Sequence, residues 1–328
     1  MARPAALTTI AGKAVGPVGF GLMSLTRPWA PLEYPAAAEV MKSALDRGAN
    51  FWNGGIFYGP PHANSLQLLK YYFNKHPEDA DKVVLCIKGA YDAKTHQPDG
   101  SPEGIRASVG EALRVLDGVK IDVFECARVD PAVPIETSVG ALAELVKEGK
   151  IGGIGLSEVN ANTIRRAHAV HPIAAVEVEM SLFTTDPLTN GVADTCHELG
   201  IPLVAYSPIG RGMLTGDLRK PDDVAANDMR QFLSRFQPGA FEQNFKLVEA
   251  AERIAERHGA TVAQLAIAWV RRQGAIPIPG CTKVERVVEN CQDVPLTEHD
   301  LDEIRALLQT LPVAGQRYGG PFEKLLNL

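Results

Sequence analysis

The sequence predicts an α/β fold, a (β/α)8 TIM barrel with an N-terminal β-hairpin and long loops on its C-terminal face. Eight short apolar runs alternate with amphipathic helical patterns along the 328 residues, and no linker or shift in composition divides them. The interval between the seventh run and the next helix, residues 207–244, is far longer than an ordinary βα loop; in a barrel such a loop lies on the face where active sites are built. A single domain over residues 1–328 follows.

Taken in order, Leu7-Thr-Thr-Ile-Ala-Gly-Lys-Ala-Val-Gly16 reads as a hairpin around Ala11-Gly12. The barrel strands are then expected at 18–22, 49–52, 83–87, 121–124, 151–156, 173–178, 201–206 and 274–278. Seven of them hold Val, Ile or Leu nearly in succession, as strands covered on both faces do. Apolar residues at three-and-four spacing predict helices over 37–47, 65–74, 104–116, 135–148, 161–170, 188–199, 245–258 and 262–272. Gly48, Gly118, Gly149 and Gly200 stand where helices stop, and Thr261 with Gln264 forms a capping-box pattern.

Composition narrows the function classes. At 45% hydrophobic and 22% charged, the chain is of the folded globular kind. Lys and Arg total 33 against 39 Asp and Glu, a net charge of −6, so no global field collects polyanions and nucleic acid is not an expected partner. No apolar run approaches the roughly 18 residues of a membrane span. The N-terminus, Met1-Ala-Arg-Pro-Ala-Ala-Leu7, lacks the apolar core of a secretory signal, so a cytoplasmic address is expected. The five cysteines are odd in number and include no C-x-x-C pair, which reads as buried thiols in a reducing compartment.

Chemistry is sought at the C-terminal ends of the strands. The second run leads into Asn53-Gly-Gly-Ile-Phe-Tyr58-Gly59 and the third ends at Lys88. An ammonium beside a tyrosine favours the ionised form and makes the phenol a better proton donor, so Tyr58 and Lys88 on adjacent strands suit protonation of an oxygen; a rim aromatic beside a surface charge is the plainer alternative. Gly19-Phe-Gly21-Leu-Met lacks the third glycine of a dinucleotide fingerprint, which disfavours a Rossmann domain. Tyr206-Ser-Pro-Ile-Gly210-Arg211-Gly212 offers backbone N–H groups and a guanidinium for a pyrophosphate, or is a plain flexible turn. After the eighth strand, Lys283 and Arg286 stand three apart on an expected helix, together with its free N–H groups, as an anion site.

Together these stretches resemble the aldo-keto reductase superfamily along essentially the whole chain. The resemblance rests on Gly19-Phe-Gly-Leu-Met23, Asn50-Phe-Trp-Asn-Gly-Gly-Ile-Phe-Tyr58-Gly59 against the family's N-F-[FW]-D-T-A-x-x-Y-G, Ile87-Lys88, Ile154-Gly-Leu-Ser157-Glu158, Tyr206-Ser-Pro208, and Ile278-Pro-Gly280 followed by Glu289-Asn290. It implies Tyr58 as proton donor, Lys88 as its activator, and NADPH as cofactor. Ser157 and Glu158 would meet the nicotinamide carboxamide, Tyr206 would stack on the ring, and Lys283, Arg286, Glu289 and Asn290 would take the adenosine end. Further cofactor contacts fall on Gly21, Leu22, Met23, Glu177, Ser207, Pro208, Gly210, Arg211, Leu214, Gly280 and Thr282. Two cations at the adenosine end imply a preference for NADPH over NADH, since they match a 2′-phosphate.

Two positions depart from the family. The aspartate of its catalytic tetrad is Asn53, and the histidine of its D-x-x-x-x-H-R motif is Ala127, followed by Arg128. The fungal pyridoxal reductases carry the same changes, and Cys126-Ala-Arg-Val-Asp130 and Pro172-Ile-Ala-Ala-Val-Glu177 also resemble them. That resemblance implies an aldehyde substrate, pyridoxal before others, with Trp29, Trp52, Phe57, Ala127 and Arg128 around it. An Asn53 that accepts a hydrogen bond from Lys88 brings no charge, so the ammonium is expected to keep more of its field for Tyr58. Strand alternation would turn Arg128 away from the face of Ala127. The rival readings are a broad aryl or aliphatic aldehyde reductase and a nicotinamide-binding regulatory subunit without turnover.

Overall fold

A computed structural model describes residues 8–92 and 94–328. Eight parallel strands run β1 (Phe20–Gly21), β2 (Phe51–Gly55), β3 (Val84–Gly89), β4 (Val123–Cys126), β5 (Ile154–Ser157), β6 (Ile173–Glu179), β7 (Leu203–Tyr206) and β8 (Ala275–Pro277), each paired with its sequence neighbours. They make the expected barrel. The ring closes between β8 and β1 through two hydrogen bonds rather than a ladder: Gly19 N–H donates to the Pro277 carbonyl at 2.9 Å and Gly21 N–H to that of Pro279 at 3.4 Å. Pro277 and Pro279 have no N–H to return, so at these two positions the seam finds acceptors only, whereas on the other side Ile278 N–H donates to Ala205 of β7 at 3.0 Å.

Helices α1 (Tyr34–Asp46), α2 (Ser65–Lys75), α3 (Pro102–Leu116), α4 (Ile135–Lys147), α5 (Ala161–Val170), α6 (Val192–Leu199), α7 (Ala240–Arg257) and α8 (Val262–Arg272) surround the strands, followed by α9 (Val284–Asn290) and α10 (Glu298–Thr310). Gly48, Gly118, Gly149 and Gly200 all adopt positive φ at the expected stops, and the Thr261 capping box is present. Two starts differ from expectation by more than three residues. Helix α6 begins at Val192 because Asn190 Oδ1 accepts its N–H after the turn at Gly191. Helix α7 begins at Ala240, five residues before the expected Phe245, where Glu242 reaches back to the N–H of Gly239.

The hairpin pairs Thr9–Ile10 with Lys13–Ala14 around Ala11 and Gly12, both at positive φ; Leu7 of the expected segment and the rest of Met1–Leu7 lie outside the described residues. Ile10 and Val15 join Phe51, Val84, Val123, Ala175, Val204 and Ile276 in an apolar cluster at the bottom of the barrel interior. Alternation places Asn53, Cys86, Lys88, Glu125, Glu177 and Glu179 on the same inward face, further toward the C-terminal ends. The interior is therefore apolar below and charged above. All five cysteines are free, and Cys86, Cys126 and Cys196 are buried.

Candidate active site

The upper interior is built around one lysine. Lys88 is 4% exposed and its Nζ contacts Glu177 Oε1 closely, with Glu125 Oε1 at 3.6 Å. Asn53 Nδ2 donates to the other oxygen of Glu177 at 2.7 Å, and the Cys86 thiol donates to Glu125 Oε2 at 3.5 Å. Room for Glu125 comes from Gly155 of β5, where a Cβ would lie 3.1 Å from its Oε2. Burial pushes the Glu125 carboxyl up to about 8, the Glu177 charge adding to it, and burial raises Glu177 too but Lys88 pulls it back, so of the pair Glu125 is the one that holds a proton. Burial works against the Lys88 ammonium, but Glu177 and then Tyr58 and Glu125 hold its pKa well above the ordinary value.

This corrects the expected role of Asn53. It bonds to Glu177 rather than to Lys88, and the ammonium faces a carboxylate after all, one that comes from β6 instead of β2.

Tyr58 stands on the loop after β2. Its carbonyl accepts from Thr26 Oγ1 at 2.7 Å and from Ser65 N–H at 2.9 Å, which fixes the turn, and Phe57 packs edge-on against its ring at 5.1 Å. The ring lies over Gly55, where a Cβ would come within 3.2 Å of it. Lys88 Nζ is 6.0 Å from the ring centre. Burial pushes the phenol up to about 12 despite the opposing pull of Lys88, so the expected gain in acidity from the ammonium is outweighed and Tyr58 keeps its proton at neutral pH.

Around the mouth, Tyr206 presents its ring 5.4 Å from Lys88 Nζ, and its hydroxyl donates to Glu158 Oε1 at 2.8 Å. Glu158, Ser207 and Arg211 follow strands in left-handed backbone at φ 56°, 51° and 56°, a conformation unusual for residues with a Cβ and concentrated here at a site. Ser157 Oγ and Glu158 Oε2 are buried without a hydrogen-bond partner among the described residues. A hydroxyl and a carboxylate oxygen left open on consecutive residues match the C=O and NH2 of a carboxamide. Pro208 and Gly210 are buried in the turn, and Leu22 and Leu214 are fully buried in the core, leaving only their backbone to face a ligand.

Three placements differ from expectation. Trp52 is turned outward: it is fully buried against Tyr72 and Phe73 of α2 and its Nε1–H donates to Ala49, so strand alternation removes it from any substrate pocket. Arg211 is already committed, its guanidinium donating to Glu179 at 2.8 Å and lying 4.1 Å over the Tyr318 ring. Arg128 lies beyond the end of β4, where alternation no longer directs it; it donates to the Ala127 carbonyl at 2.5 Å, faces the Tyr318 ring at 5.8 Å and shares a small pocket with Cys126 and Ser157. Ala127 is buried, and Trp29 is half-buried with its indole N–H lacking a partner among the described residues.

Residues without a sequence signal complete the mouth. Arg317, from the segment after α10, donates to Glu158 Oε1 at 2.6 Å and to the Tyr206 hydroxyl at 2.9 Å, while the Tyr318 hydroxyl lies 3.1 Å from that of Tyr206. The glycines flanking Gln316-Arg317-Tyr318 were the one hint of a functional turn. Glu125 had a better signal, an acidic residue inside a strand buried on both faces.

Across the seam, Gly21 meets Gly280 and Ser24 Oγ donates to the Cys281 carbonyl at 3.2 Å, while Met23 beside them is exposed. Lys283 is the exposed residue before α9 in extended backbone, not a member of the helical face shared with Arg286. Arg286 is held by Asp217 at 2.7 and 2.9 Å and by Glu289 at 2.7 Å; Glu289 also accepts from Thr261, and Asn290 is buried beneath. Thr282 is half-buried.

Comparison with known proteins agrees with this geometry. The Aldo/keto reductase family model matches residues 17–309. A Schizosaccharomyces pombe protein named "Probable pyridoxal reductase 2" is 43% identical, covering 97% of this chain and 98% of its own. A Glycine max protein named "Probable aldo-keto reductase 1" is 40% identical over 94% of this chain and 89% of its own. The structure of a glycerol dehydrogenase from Gluconobacter oxydans superposes with a TM-score of 0.83 at 22% identity over 96% of this chain and 98% of that one, a likeness of fold. A barrel of this topology, a Tyr–Lys pair at its mouth and a family match over most of the length lead to one conclusion: the chain belongs to the aldo-keto reductase family.

Proposed function

We propose that this protein reduces an aldehyde to an alcohol with NADPH, with pyridoxal as the favoured substrate. The family uses NAD(P)H, which supplies a hydride to the carbonyl carbon when bound. The observation that carries the reading is Tyr58, still protonated, beside a buried and charged Lys88 at the barrel mouth. Tyr58 gives its proton to the carbonyl oxygen as the C–H bond forms, the phenolate is stabilised by Lys88 and then regains a proton from water, and Lys88 keeps its own protons throughout. Ser157 and Glu158 hold the carboxamide, and Tyr206 offers its ring to the nicotinamide. Arg286, Lys283 and Glu289 take the adenosine end, where a dianionic 2′-phosphate competes with Asp217 for Arg286 and a hydroxyl does not.

Pyridoxal is favoured by the name of the Schizosaccharomyces pombe relative and by the site itself. Ala127 carries only a methyl where the family has an imidazole, and the positive Arg128 beside it suits an aromatic aldehyde flanked by an ionised hydroxyl. Purified protein is assayed by NADPH absorbance against pyridoxal, pyridoxal phosphate, a nitrobenzaldehyde and an aliphatic aldehyde. The highest kcat/KM for pyridoxal supports the reading, equal values point to a broad aldehyde reductase, and no turnover at micromolar enzyme points to a regulatory subunit. Tyr58→Phe should lower kcat by about 10² to 10⁴ with NADPH affinity unchanged. Activity within a few-fold of wild type removes Tyr58 as the acid.

A further inference from the structure

Lys88, Glu125 and Glu177 are 4%, 1% and 0% exposed, so the upper barrel encloses one ammonium and two carboxyl groups with almost no water to moderate them. An uncompensated charge in such a place is expensive, and a lysine there without an anion gives up its proton instead. Two candidate anions exist. Glu125 Oε1 is 3.6 Å from Nζ with no hydrogen-bond partner, and its other oxygen takes only a thiol. Glu177 has both oxygens engaged, one on Lys88 of β3 and one on Asn53 of β2, having crossed the barrel from β6 to reach them. The groups facing Lys88 from the elements packed around it are therefore Asn53 and Tyr58, Cys86, Glu125, Glu177 and, from β7, Tyr206, whose own hydroxyl is committed to Glu158.

We infer that Glu177 is the positioning residue for Lys88: it supplies from β6 the carboxylate missing at position 53, and Asn53 locks its second oxygen so that the ammonium stays charged and aimed at Tyr58. Asn53 is thereby part of the same device, an uncharged clamp on a relocated charge. Glu125, protonated at neutral pH, leaves the cluster at one positive and one negative charge. The inference rests on the reading of Tyr58 and Lys88 as the acid pair.

The test compares Glu177→Gln, Asn53→Asp and the double variant, which moves the carboxylate back to β2. The first measurement is the titration of Lys88 Nζ by NMR in the protein without cofactor or substrate, its signal assigned by its loss in Lys88→Arg. Wild type should stay charged beyond pH 10, and Glu177→Gln should lower the midpoint by about two pH units or more, the scale seen for buried lysines. The double variant should restore it to within about one unit. The second measurement is turnover of the best aldehyde: Glu177→Gln should lower kcat by about 10²-fold with KM changed less than about threefold, and the double variant should recover to within about tenfold. Asn53→Asp alone, which adds a third carboxyl group, should lose activity.

An unmoved Lys88 midpoint in Glu177→Gln overturns the inference, as does a double variant that folds with Lys88 neutral. If Glu177→Gln does not fold, the double variant decides alone: folded with Lys88 charged supports the inference, folded with Lys88 neutral overturns it, and a failure to fold shows that position 53 cannot take over the charge, which also overturns it. If wild type turns over no aldehyde, the functional reading falls while the NMR midpoints still decide the counter-ion.

Discussion

Lys88 and Arg286 each face two carboxyl groups, the first inside the barrel and the second on its rim. Around Lys88 every partner is almost fully buried, so the carboxyl groups cannot exchange for water and one of them keeps a proton. Around Arg286 the side chain is 34% exposed and Asp217 63%, so water and salt screen the pair and an incoming anion can replace a carboxylate at little cost. Burial turns the same kinds of charge into fixed chemical machinery in one place and an exchangeable clasp in the other.

The comparison breaks most visibly at Lys88. Lys88→Met leaves two buried carboxyl groups without a cation and should cost about 3–5 kcal/mol of stability, the scale for breaking a buried pair, measured by urea unfolding. Turnover should fall at least as far as in Tyr58→Phe. A stability loss below about 1 kcal/mol would place the pair energetically with the surface ones.

The two regions also separate by pH. The folded protein raises the Glu125 carboxyl from its ordinary 4.5 to about 8, so between those values it holds a proton that the unfolded chain has released. This contribution is fully present below the ordinary carboxyl value and is lost as pH rises through about 8, at up to about 1.4 kcal/mol per pH unit. Glu125→Gln should remove that slope, seen as unfolding free energies that no longer fall between pH 5 and 8, whereas Glu289→Gln on the rim should leave it in place.

The smallest effect lies on the rim itself. Arg286→Ala should weaken NADPH by about 1 kcal/mol, less than the 1.5–3 kcal/mol of an unopposed charged hydrogen bond because Asp217 and Glu289 already occupy the guanidinium. NADH binding should barely change. Asp217→Asn should do the reverse and tighten NADPH about two- to five-fold. Equal changes for both cofactors in titration calorimetry would take Arg286 out of phosphate recognition.

What the sequence disclosed and what it hid follow from locality. The strands were legible because burial on both faces forces apolar runs, Lys88 because it ends such a run at the mouth, and Tyr58 because it lies on the loop that follows one. The partner of Lys88 was hidden: Glu177 lies 89 residues away, and only the closure of the barrel brings the two together. Arg286 and Asp217, 69 residues apart, were hidden likewise, and so was the Arg317–Tyr318 turn, which has no period to betray it. Trp52 was placed in the substrate pocket on the strength of its neighbours, although alternation from the inward Asn53 turns it toward α2.

The seam between β8 and β1 has a consequence for the protein's life in a crowded solution. Should the ring of strands part there, the edge bared on β8 carries the carbonyls of Pro277 and Pro279 but not their N–H groups, so a strand from another molecule finds only half of the partners it needs to zip on. The β8 side of a transient opening is thus a poor template for a strand from another molecule, while the matching donors wait on Gly19 and Gly21 of its own chain.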